Sequence, residues 1–394
     1  MGKIALVTKG FTGSLFPLAK QLIRKGYDVD IYLFNYILFS DLEAFKCSYK
    51  SNRYGIEAIQ VCEWQEMYSY LRGMGRVRLF SLKMPRPYNN IPVLRDLISL
   101  YSQGYIKQSC LFINNQNYNF INIIGGYYSR EYLPFMKLIT SKLVFSLHEV
   151  CDHFKPDFKK PPMLLTYLFR NSIDIIIYSD NSYRDILRYD EVIKEKIHRI
   201  NFGLFNTYLT IPKKYCLSLP DKYFLFFGSI LPYKGLSILN DAIKLISNEL
   251  KDYKLVVAGK GYDSCIDEMK DNPNVVLINK RLSNSELCQV IENSRFVICP
   301  YITMSQSGIP QTIFVFNKPI IASNLDGFKE IVKHNNNGLL FERGSSAKLA
   351  ACIIKFITDK ELYNSCNINV KMFETYYPSF SWNNIANKYI ENFL

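Results

Sequence analysis

The segment KIALVTKGFTGSLFPLAKQLIRKGYDVDIYL, residues 3–33, reads as a strand, a loop, a helix and a second strand. Residues 3–8 are an apolar run, and Ser14 is a candidate cap for a helix that continues to residue 25, since Ser is a preferred helix N-cap. Gly26 supplies a stop at the carboxyl end of that helix. The segment therefore predicts a βαβ unit, the building block of a parallel sheet.

Short apolar runs continue this alternation through the first half of the chain, at residues 120–124, 143–147 and 173–178. Each run is bounded by turn residues or by a helical segment, as in a parallel sheet that is covered on both faces. The first half is therefore predicted to be a doubly wound domain. Its pattern does not define element boundaries between residues 41 and 113.

A second alternating series begins at residue 222 and predicts a second Rossmann-like sheet. Its apolar runs cover residues 222–228, 254–259, 275–278, 296–300, 319–322 and 338–341. Two capping boxes mark helix starts in this half, Ser283 with Glu286 and Thr358 with Glu361. The periodicity lapses over residues 205–221, so we expect the two domains to meet there.

Composition narrows the class of protein. The 394-residue chain is 48% hydrophobic and has no apolar stretch near the roughly 20 residues that span a bilayer. The N-terminus lacks a secretory leader pattern, which favours a cytoplasmic protein. Ten cysteines lie singly, which favours reduced thiols over disulfides or structural zinc. The formal net charge of +13 favours an anionic partner, whether nucleic acid, a membrane surface or a phosphorylated small molecule.

Two loops of the second series point to phosphate chemistry. Residues 305–308 (SQSG) precede a helix with Pro310 in its first turn. Free main-chain amides at a helix start, beside a glycine that lets an anion approach closely, can hold a phosphate. Lys234 lies in the loop after the 222–228 run, where an ammonium can neutralise a diphosphate. An ordinary strand-to-helix turn and a solvated lysine are the alternatives.

The order of short motifs in the second half resembles a known family. The motifs are GSILPYKG (228–235), GKG (259–261), Arg281, SNSE (283–286), SGIP (307–310) and KPIIASNLDGFKEIV (318–332). Jointly they resemble the C-terminal half of the retaining GT-B glycosyltransferases of the GT4 kind, glycosyltransferase group 1. The resemblance covers residues 222–341 well and the first domain more loosely.

The resemblance implies an α/β fold of two Rossmann-like doubly wound domains facing a cleft. An N-terminal acceptor-binding domain would cover 1–205 and a C-terminal nucleotide-sugar-binding domain 206–375. A C-terminal helix in 376–394 would return to the N-terminal domain, and FSWNNIANKY (380–389) looks like that helix. The loss of periodicity near residue 205 agrees with this division.

The resemblance also implies an activity. It is hexosyl transfer from a nucleotide diphosphate sugar to a glycan or lipid-linked acceptor, with retained configuration, in bacterial surface polysaccharide synthesis. The nucleotide sugar is then a co-substrate. We expect neither a resident cofactor nor a metal, because a lysine and main-chain amides can meet the charge of the leaving diphosphate.

Individual residues receive roles from the same resemblance. His148, Glu149 and Lys234 are the expected catalytic residues, although a satisfied, partly buried histidine is the alternative for His148. Arg281 and Leu282 would border the base, and Glu330, at a helix start after Gly327, would face the sugar hydroxyls. The expected donor-binding residues are Gly10, Gly13, Ser229, Lys234, Gly259, Arg281, Leu282, Gln306, Ser307, Gly308, Ile309, Thr312 and Glu330.

Departures from the family pattern keep other hypotheses open. The family's paired glutamates are absent, since Ser305 stands at the first position and Thr312 or Ile313 at the second. Ser229 stands in the place of a phosphate-binding arginine. The alternatives are a catalytically degenerate subunit that acts as a binding partner, and a nucleotide-sugar epimerase of the same fold.

A basic segment of the first domain suggests one further surface. It contains Arg72, Arg76, Arg78, Lys83 and Arg86, interleaved with apolar residues. Such a surface suits peripheral contact with the anionic inner face of a cytoplasmic membrane, and a solvated face is the alternative. No aromatic-basic motif lies on the predicted strands, so no nucleic-acid partner is expected.

Overall fold

The computed structural model describes most of the chain and divides it into two compact units. The first unit is Met1–Gly203 together with Phe380–Leu394, and the second is Leu204–Ser379. The domain limits expected from the sequence were residues 205 and 375. The described residues are 2–36, 55–59, 70–71, 73–84, 92–151, 159–213, 216–304 and 308–394.

A parallel sheet with one antiparallel edge strand forms the centre of the first unit. Its strand order is β3-β4-β2-β1-β5-β6-β7-β8, and β3 is the one strand among the described residues that pairs antiparallel. The strands are β1 (Lys3–Thr8), β2 (Asp28–Tyr36), β3 (Gly55–Ala58), β4 (Val77–Met84), β5 (Phe120–Gly125), β6 (Leu143–Leu147), β7 (Asp174–Ile177) and β8 (Ile197–Arg199). The predicted βαβ unit is confirmed, because β1 and β2 pair in parallel across the helix that joins them.

Helices cover both faces of this sheet. They are α1 (Thr12–Arg24), α2 (Pro92–Asn114), α3 (Leu133–Met136), α4 (Met163–Arg170) and α5 (Asp180–Ile186). The predicted N-cap of α1 is wrong. Ser14 lies inside the first turn, where its hydroxyl donates to the carbonyl of Phe11 at 3.0 Å, and Phe11 is the N-cap residue.

A six-stranded parallel sheet forms the centre of the second unit, in the order β11-β10-β9-β12-β13-β14. Its strands are β9 (Tyr223–Phe227), β10 (Lys254–Ala258), β11 (Val275–Ile278), β12 (Val297–Cys299), β13 (Ile320–Ser323) and β14 (Gly338–Phe341). All six predicted apolar runs of this half are strands, so the predicted doubly wound architecture is confirmed. Its core contains stacked aromatic rings, for example Phe224 of β9 on Phe296, the residue before β12, with centroids 5.2 Å apart.

The helices of the second unit agree with one of the two predicted capping boxes. They are α6 (Leu236–Leu245), α7 (Ile266–Asp271), α8 (Asn284–Glu292), α9 (Ile309–Val315), α10 (Asp326–Lys329), α11 (Ser346–Thr358), α12 (Lys360–Lys371) and α13 (Phe373–Tyr376). The capping box of Ser283 and Glu286 is confirmed at α8, and Pro310 lies in the first turn of α9. The second predicted box is wrong, because Asp359 caps α12 by accepting from the amide of Leu362.

The last helix, α14 (Trp382–Phe393), packs within the first unit. Ser381 caps it by accepting from the amide of Asn384. At the end of α1, Lys25 Nζ donates to Asn383 Oδ1 at 2.9 Å. At β5, the ring centroids of Phe120 and Phe393 are 5.7 Å apart. Among the described residues, no helix combines the length and the apolar character that a membrane span requires.

Candidate functional site

The carboxyl ends of β9 and β10 are joined backbone to backbone. Gly228 follows β9, and its amide donates to the carbonyl of Ala258 at 3.0 Å. Gly259 has a φ of +155°, and a Cβ atom at this position would lie 1.8 Å from the carbonyl oxygen of Gly228. A glycine permits this approach without moving the backbone. The predicted donor residue Gly259 therefore seats the loop after β9 against the loop after β10.

The loop after β9 also rests on the end of β12. Gly235 has a φ of +69°, and a Cβ atom there would lie 2.0 Å from the carbonyl oxygen of Pro300. The amide of Ile302 donates to the carbonyl of Tyr233 at 2.7 Å. Lys234 is the last residue of the short 3₁₀ turn Pro232–Lys234 and lies between these two anchors, so its backbone is fixed from both sides.

Lys234 is the charged side chain that this loop buries. It is 8% exposed, and its Nζ lies 5.4 Å from the ring centroid of Tyr301. A Cβ atom on Gly228 would be 2.9 Å from Nζ, so the ammonium folds back over the end of β9. Burial lowers the pKa of Lys234, because a low dielectric disfavours the ammonium. Within the described ranges, no carboxylate forms an ion pair with it.

The predicted base-binding residues lie at the outer edge of the same sheet. Arg281 is exposed and Leu282 half-buried, both just after β11. The strand order puts β11 two strands from β9, about 10 Å at the usual strand spacing. Ser229 is exposed in the loop after β9. This placement suits a ligand that runs along the carboxyl edge from β9 towards β11.

The predicted phosphate loop is described only in part. Gln306 and Ser307 lie outside the described residues, whereas Gly308 and Ile309 are half-buried at the start of α9. Thr312 is 5% exposed, and its hydroxyl donates to the carbonyl of Gly308 at 3.0 Å. The Thr312 hydroxyl therefore has an internal partner at the position where the resemblance places a donor contact.

Glu330 lies beyond β13, on the opposite side of β9 from Arg281 in the strand order. The predicted helix start after Gly327 is wrong, because α10 already contains Gly327 and Glu330 follows its last residue. Glu330 is half-buried. At the end of β13, the Ser323 hydroxyl donates to the carbonyl of Tyr301 at 2.7 Å, which links this strand end to the ring beside Lys234.

The glycine loop of the first unit is shorter than the sequence suggested. Thr8 Oγ1 accepts from the amides of Gly10 and Phe11, at 3.3 and 3.0 Å. Gly13 lies in the first turn of α1. The amides of Gly10 and Phe11 are thus bonded within the chain, and Gly10 itself is exposed.

His148 follows β6 inside a box of aromatic rings. The ring of Phe11 stacks on its imidazole, with centroids 4.0 Å apart and an interplanar angle of 9°. The ring centroids of Tyr178 and Phe202 each lie 4.9 Å from that of the imidazole. His148 is 8% exposed, and burial lowers its pKa to about 3, so the ring is neutral at pH 7. Nε2 is buried with no hydrogen-bond partner in the described part of the chain.

Glu149 is the residue after His148, beyond the carboxyl ends of β5 and β6. It is half-buried, and its carbonyl accepts from the amide of Tyr127 at 2.9 Å. The predicted pair His148 and Glu149 thus combines a neutral imidazole with a nearby carboxylate.

The structure groups the predicted residues unit by unit. In the second unit it brings Ser229, Lys234 and Gly259 together, with Arg281 at one edge and Glu330 beyond β13. In the first unit it brings the loop of Gly10 close to His148, through the stacked ring of Phe11. Sequence reasoning missed the rings that line both places, Phe11, Tyr178, Phe202 and Tyr301. Their only signal was a position just after a strand.

The basic segment of the first unit has internal partners. Arg78 forms two hydrogen bonds to the carboxylate of Asp30, at 2.7 and 2.6 Å, and Arg76 donates to the carbonyl of Gly26. Arg72 and Arg86 lie outside the described residues. Two of the cations that were assigned to a membrane surface therefore bind elements of their own sheet.

Comparison with known proteins adds the family context. The sequence model described as "Glycosyl transferases group 1" matches residues 209–372, most of the second unit. An uncharacterised glycosyltransferase of Methanocaldococcus jannaschii is 31% identical over 159 residues, which is 40% of this chain. The match spans 44% of that relative's own length, less than half.

Solved structures share the fold over the whole chain. Anabaena HepE in complex with UDP-glucose superposes with a TM-score of 0.62 at 15% identity, covering 99% of this chain and 100% of that one. A variant of S. aureus TarM in complex with fondaparinux, α-GlcNAc-glycerol and UDP gives 0.65 at 14% identity, covering 100% of both. At these identities the likeness shows the fold, two Rossmann-like domains of the GT-B glycosyltransferase type.

Proposed function

We propose that this chain is a retaining glycosyltransferase of the GT4 kind, which transfers a hexose from a nucleotide diphosphate sugar. The observation that carries the proposal is the ammonium of Lys234, which is buried at the carboxyl end of β9. No carboxylate among the described residues forms an ion pair with it. Desolvating an unpaired cation is costly, so such a site is expected where an anion binds.

The proposal assigns the diphosphate to Lys234 because the diphosphate gains negative charge during the reaction. As the sugar leaves, negative charge develops on the diphosphate, and a fixed cation in a poorly solvated place stabilises that transition state most. The loop anchors at Gly235 and Gly259 hold the lysine stem in place before the ligand arrives. Preorganisation of this kind lowers the cost of reorganisation during reaction.

The order of the strands supports the orientation of the donor. Arg281 and Leu282 lie past β11, Lys234 past β9 and Glu330 past β13. A base, a diphosphate and a sugar would then follow one another along the carboxyl edge, each about two strand spacings from the next, or about 10 Å. Ligands of open α/β sheets bind at this edge.

The remaining parts of the proposal rest on the resemblance. His148 and Glu149 would serve the transferred sugar, and the acceptor would be a glycan or a lipid-linked glycan in surface polysaccharide synthesis. HepE and TarM were solved with UDP or UDP-glucose, which makes UDP the first nucleotide to test. The proposal includes no resident cofactor and no metal, and it places the protein in the cytoplasm with peripheral contact to the inner membrane face.

One observation favours a second candidate, a degenerate subunit that keeps the fold and has lost the donor site. The family's paired glutamates and phosphate-binding arginine are missing from the sequence. The hydroxyl of Thr312, one of the two candidates for the second glutamate position, is bonded to the carbonyl of Gly308. A neutral side chain with an internal partner is a weaker ligand for a ribose than a free carboxylate.

Calorimetric titration with UDP, GDP, ADP and CDP distinguishes the two candidates. We expect one nucleotide to bind, and Lys234→Ala to weaken its binding by about tenfold or more, since a charge-assisted contact is lost. Lys254→Ala is the matched control, because Lys254 is exposed at the amino end of β10. Absence of binding by a folded protein favours the degenerate subunit, and transfer from the matching nucleotide sugar excludes it.

A further inference from the structure

A buried polar network joins the C-terminal helix to the sheet of the first unit. Tyr389 of α14 is 1% exposed, and its hydroxyl lies 3.1 Å from Ser146 Oγ and 3.4 Å from the hydroxyl of Tyr178. Ser146 Oγ also lies 2.9 Å from Asn122 Oδ1, to which it donates. Ser146 and Asn122 are fully buried, so no water competes for these bonds.

This network leads directly to His148. Ser146 lies in β6, two residues before His148, which follows the strand and whose amide still donates to the carbonyl of Gly125 at 2.9 Å. In such extended backbone, residues two apart share a face. Tyr178 contacts both Tyr389 and His148. Its hydroxyl faces that of Tyr389, and its ring centroid lies 4.9 Å from that of the imidazole at an interplanar angle of 44°. Tyr389 is therefore one contact removed from the histidine.

The same helix reaches the box from its other end. Phe202 meets the imidazole edge-on at 4.9 Å. The next residue, Gly203, is so close to Trp382 of α14 that a Cβ atom on it would lie 2.5 Å from the indole. Of the walls of the His148 box, Tyr178 thus contacts α14 directly, and Phe202 is joined to it through the neighbouring Gly203.

His148 depends on these walls for its orientation. Its Nε2 makes no hydrogen bond to any described residue, so the rings around it rather than a polar partner of Nε2 restrain that edge of the imidazole. A ring that is fixed by packing moves when its walls move. The hydroxyl of Tyr178 has two polar anchors, the hydroxyl of Tyr389 and that of Ser146, and Tyr389 bonds to Ser146 as well.

We propose that Tyr389 is a positioning residue, which sets the place of the His148 imidazole through Tyr178. The inference rests on the proposed function, in which His148 serves the transferred sugar. The rival reading is that α14 only stabilises the first unit. The two differ in whether the hydroxyl of Tyr389, as distinct from the packing of its helix, controls the histidine.

Tyr389→Phe removes the hydroxyl and keeps the ring. In full-length protein with isotope-labelled histidine, the His148 resonance is assigned by its loss in His148→Gln. We expect Tyr389→Phe to shift and broaden that resonance. We also expect kcat to fall about tenfold while the KM for the donor stays within about twofold, since a misplaced group costs the chemical step more than ground-state binding.

Phe393→Leu is the matched control. Phe393 is 4% exposed and packs α14 on Phe120 and His198. Its ring also meets the ring of Tyr389 edge-on, with centroids 5.8 Å apart, so the substitution loosens the packing of Tyr389 and keeps its hydroxyl. It should lower the Tm at least as much as Tyr389→Phe and leave the His148 resonance in place. If Tyr389→Phe fails to fold, Tyr178→Phe removes the other hydroxyl of the same contact.

The inference is overturned if Tyr389→Phe and the control Phe393→Leu shift the His148 resonance equally. It is also overturned if loss of either tyrosine hydroxyl leaves that resonance unchanged. Failure of the proposed function is a separate outcome. If the parent protein transfers no sugar from any nucleotide sugar, the resonance of His148 in the unliganded protein still shows whether Tyr389 positions it.

Discussion

Lys234 Nζ lies 5.4 Å from the ring centroid of Tyr301, at the edge of the sheet where β9 and β12 end. A cation over a phenol ring gains about 0.5–2 kcal/mol, which is less than the several kcal/mol that burying an ammonium costs. The contact therefore compensates the buried charge only in part. The residue is held in a place that is unfavourable for the free protein and suitable for an anion.

Lys234→Met should separate stability from binding. Methionine has a similar length and carries no charge, so we expect the free energy of unfolding to stay equal or rise by about 1 kcal/mol. Binding of the nucleotide diphosphate should fall at the same time. Chemical denaturation and calorimetric titration of the same preparations measure the two effects. Lys254→Met, at an exposed position, should change neither. A large loss of stability in Lys234→Met would show that the ammonium has an internal role.

Gly235→Ala should unfold or strongly destabilise the second unit. The position has a φ of +69°, and the new Cβ atom would meet the carbonyl of Pro300 at 2.0 Å, a contact with backbone that cannot yield cheaply. We expect a loss of about 2–4 kcal/mol in the free energy of unfolding.

Gly10→Ala is the natural comparison for that variant. A Cβ atom on Gly10 meets nothing within 4 Å, and its φ lies outside the left-handed region. The change should leave the free energy of unfolding within about 0.5 kcal/mol of the parent. Equal effects of the two substitutions would contradict the described loop packing.

Hydrophobic alternation predicted the two sheets because buried parallel strands read as apolar runs. The start of α12 shows where local pattern stops being sufficient. Thr358 and Asp359 are both good N-cap residues, but the Thr358 hydroxyl donates to the carbonyl of Ile354, in the helix before. Thr358 is therefore the last residue of α11, and Asp359 is the N-cap residue of α12. The choice depends on where the preceding helix ends, which the capping pattern does not encode.

The candidate site was predictable to a similar degree. Loops after strands were found from the sequence because glycine and lysine follow apolar runs. The rings around His148 were not found from the sequence, because Phe11, Tyr178 and Phe202 come from three different strand ends and meet only in the fold. A ring just after a strand has the same local pattern whether it lines a site or covers a core. Assigning it requires knowing which strands are neighbours.

Arg78→Ala should destabilise the first unit more than an exposed ion pair would. Asp30 is 1% exposed and receives two bonds from Arg78, so the substitution leaves a buried carboxylate short of donors. Tyr118 and Lys3 remain beside that carboxylate and limit the loss to about 2 kcal/mol. Arg188→Ala breaks a more exposed pair, in which Arg188 is exposed and Asp185 half-buried, and should cost about 0.5 kcal/mol or less. Urea denaturation of both variants checks the difference.

Acid should destabilise the first unit through His148. Its pKa is lowered to about 3 in the folded protein by burial, whereas an unfolded histidine titrates near 6.5. Below pH 6.5 the unfolded chain therefore binds a proton that the folded chain excludes. The stability that is present above pH 6.5 is lost as the pH falls towards 3, by about 1.4 kcal/mol for each pH unit. His148→Gln should remove this part of the pH dependence. Denaturation curves of parent and variant between pH 7 and pH 5 measure it, and parallel losses in the two proteins would mean that the imidazole is already accessible to protons in the folded state.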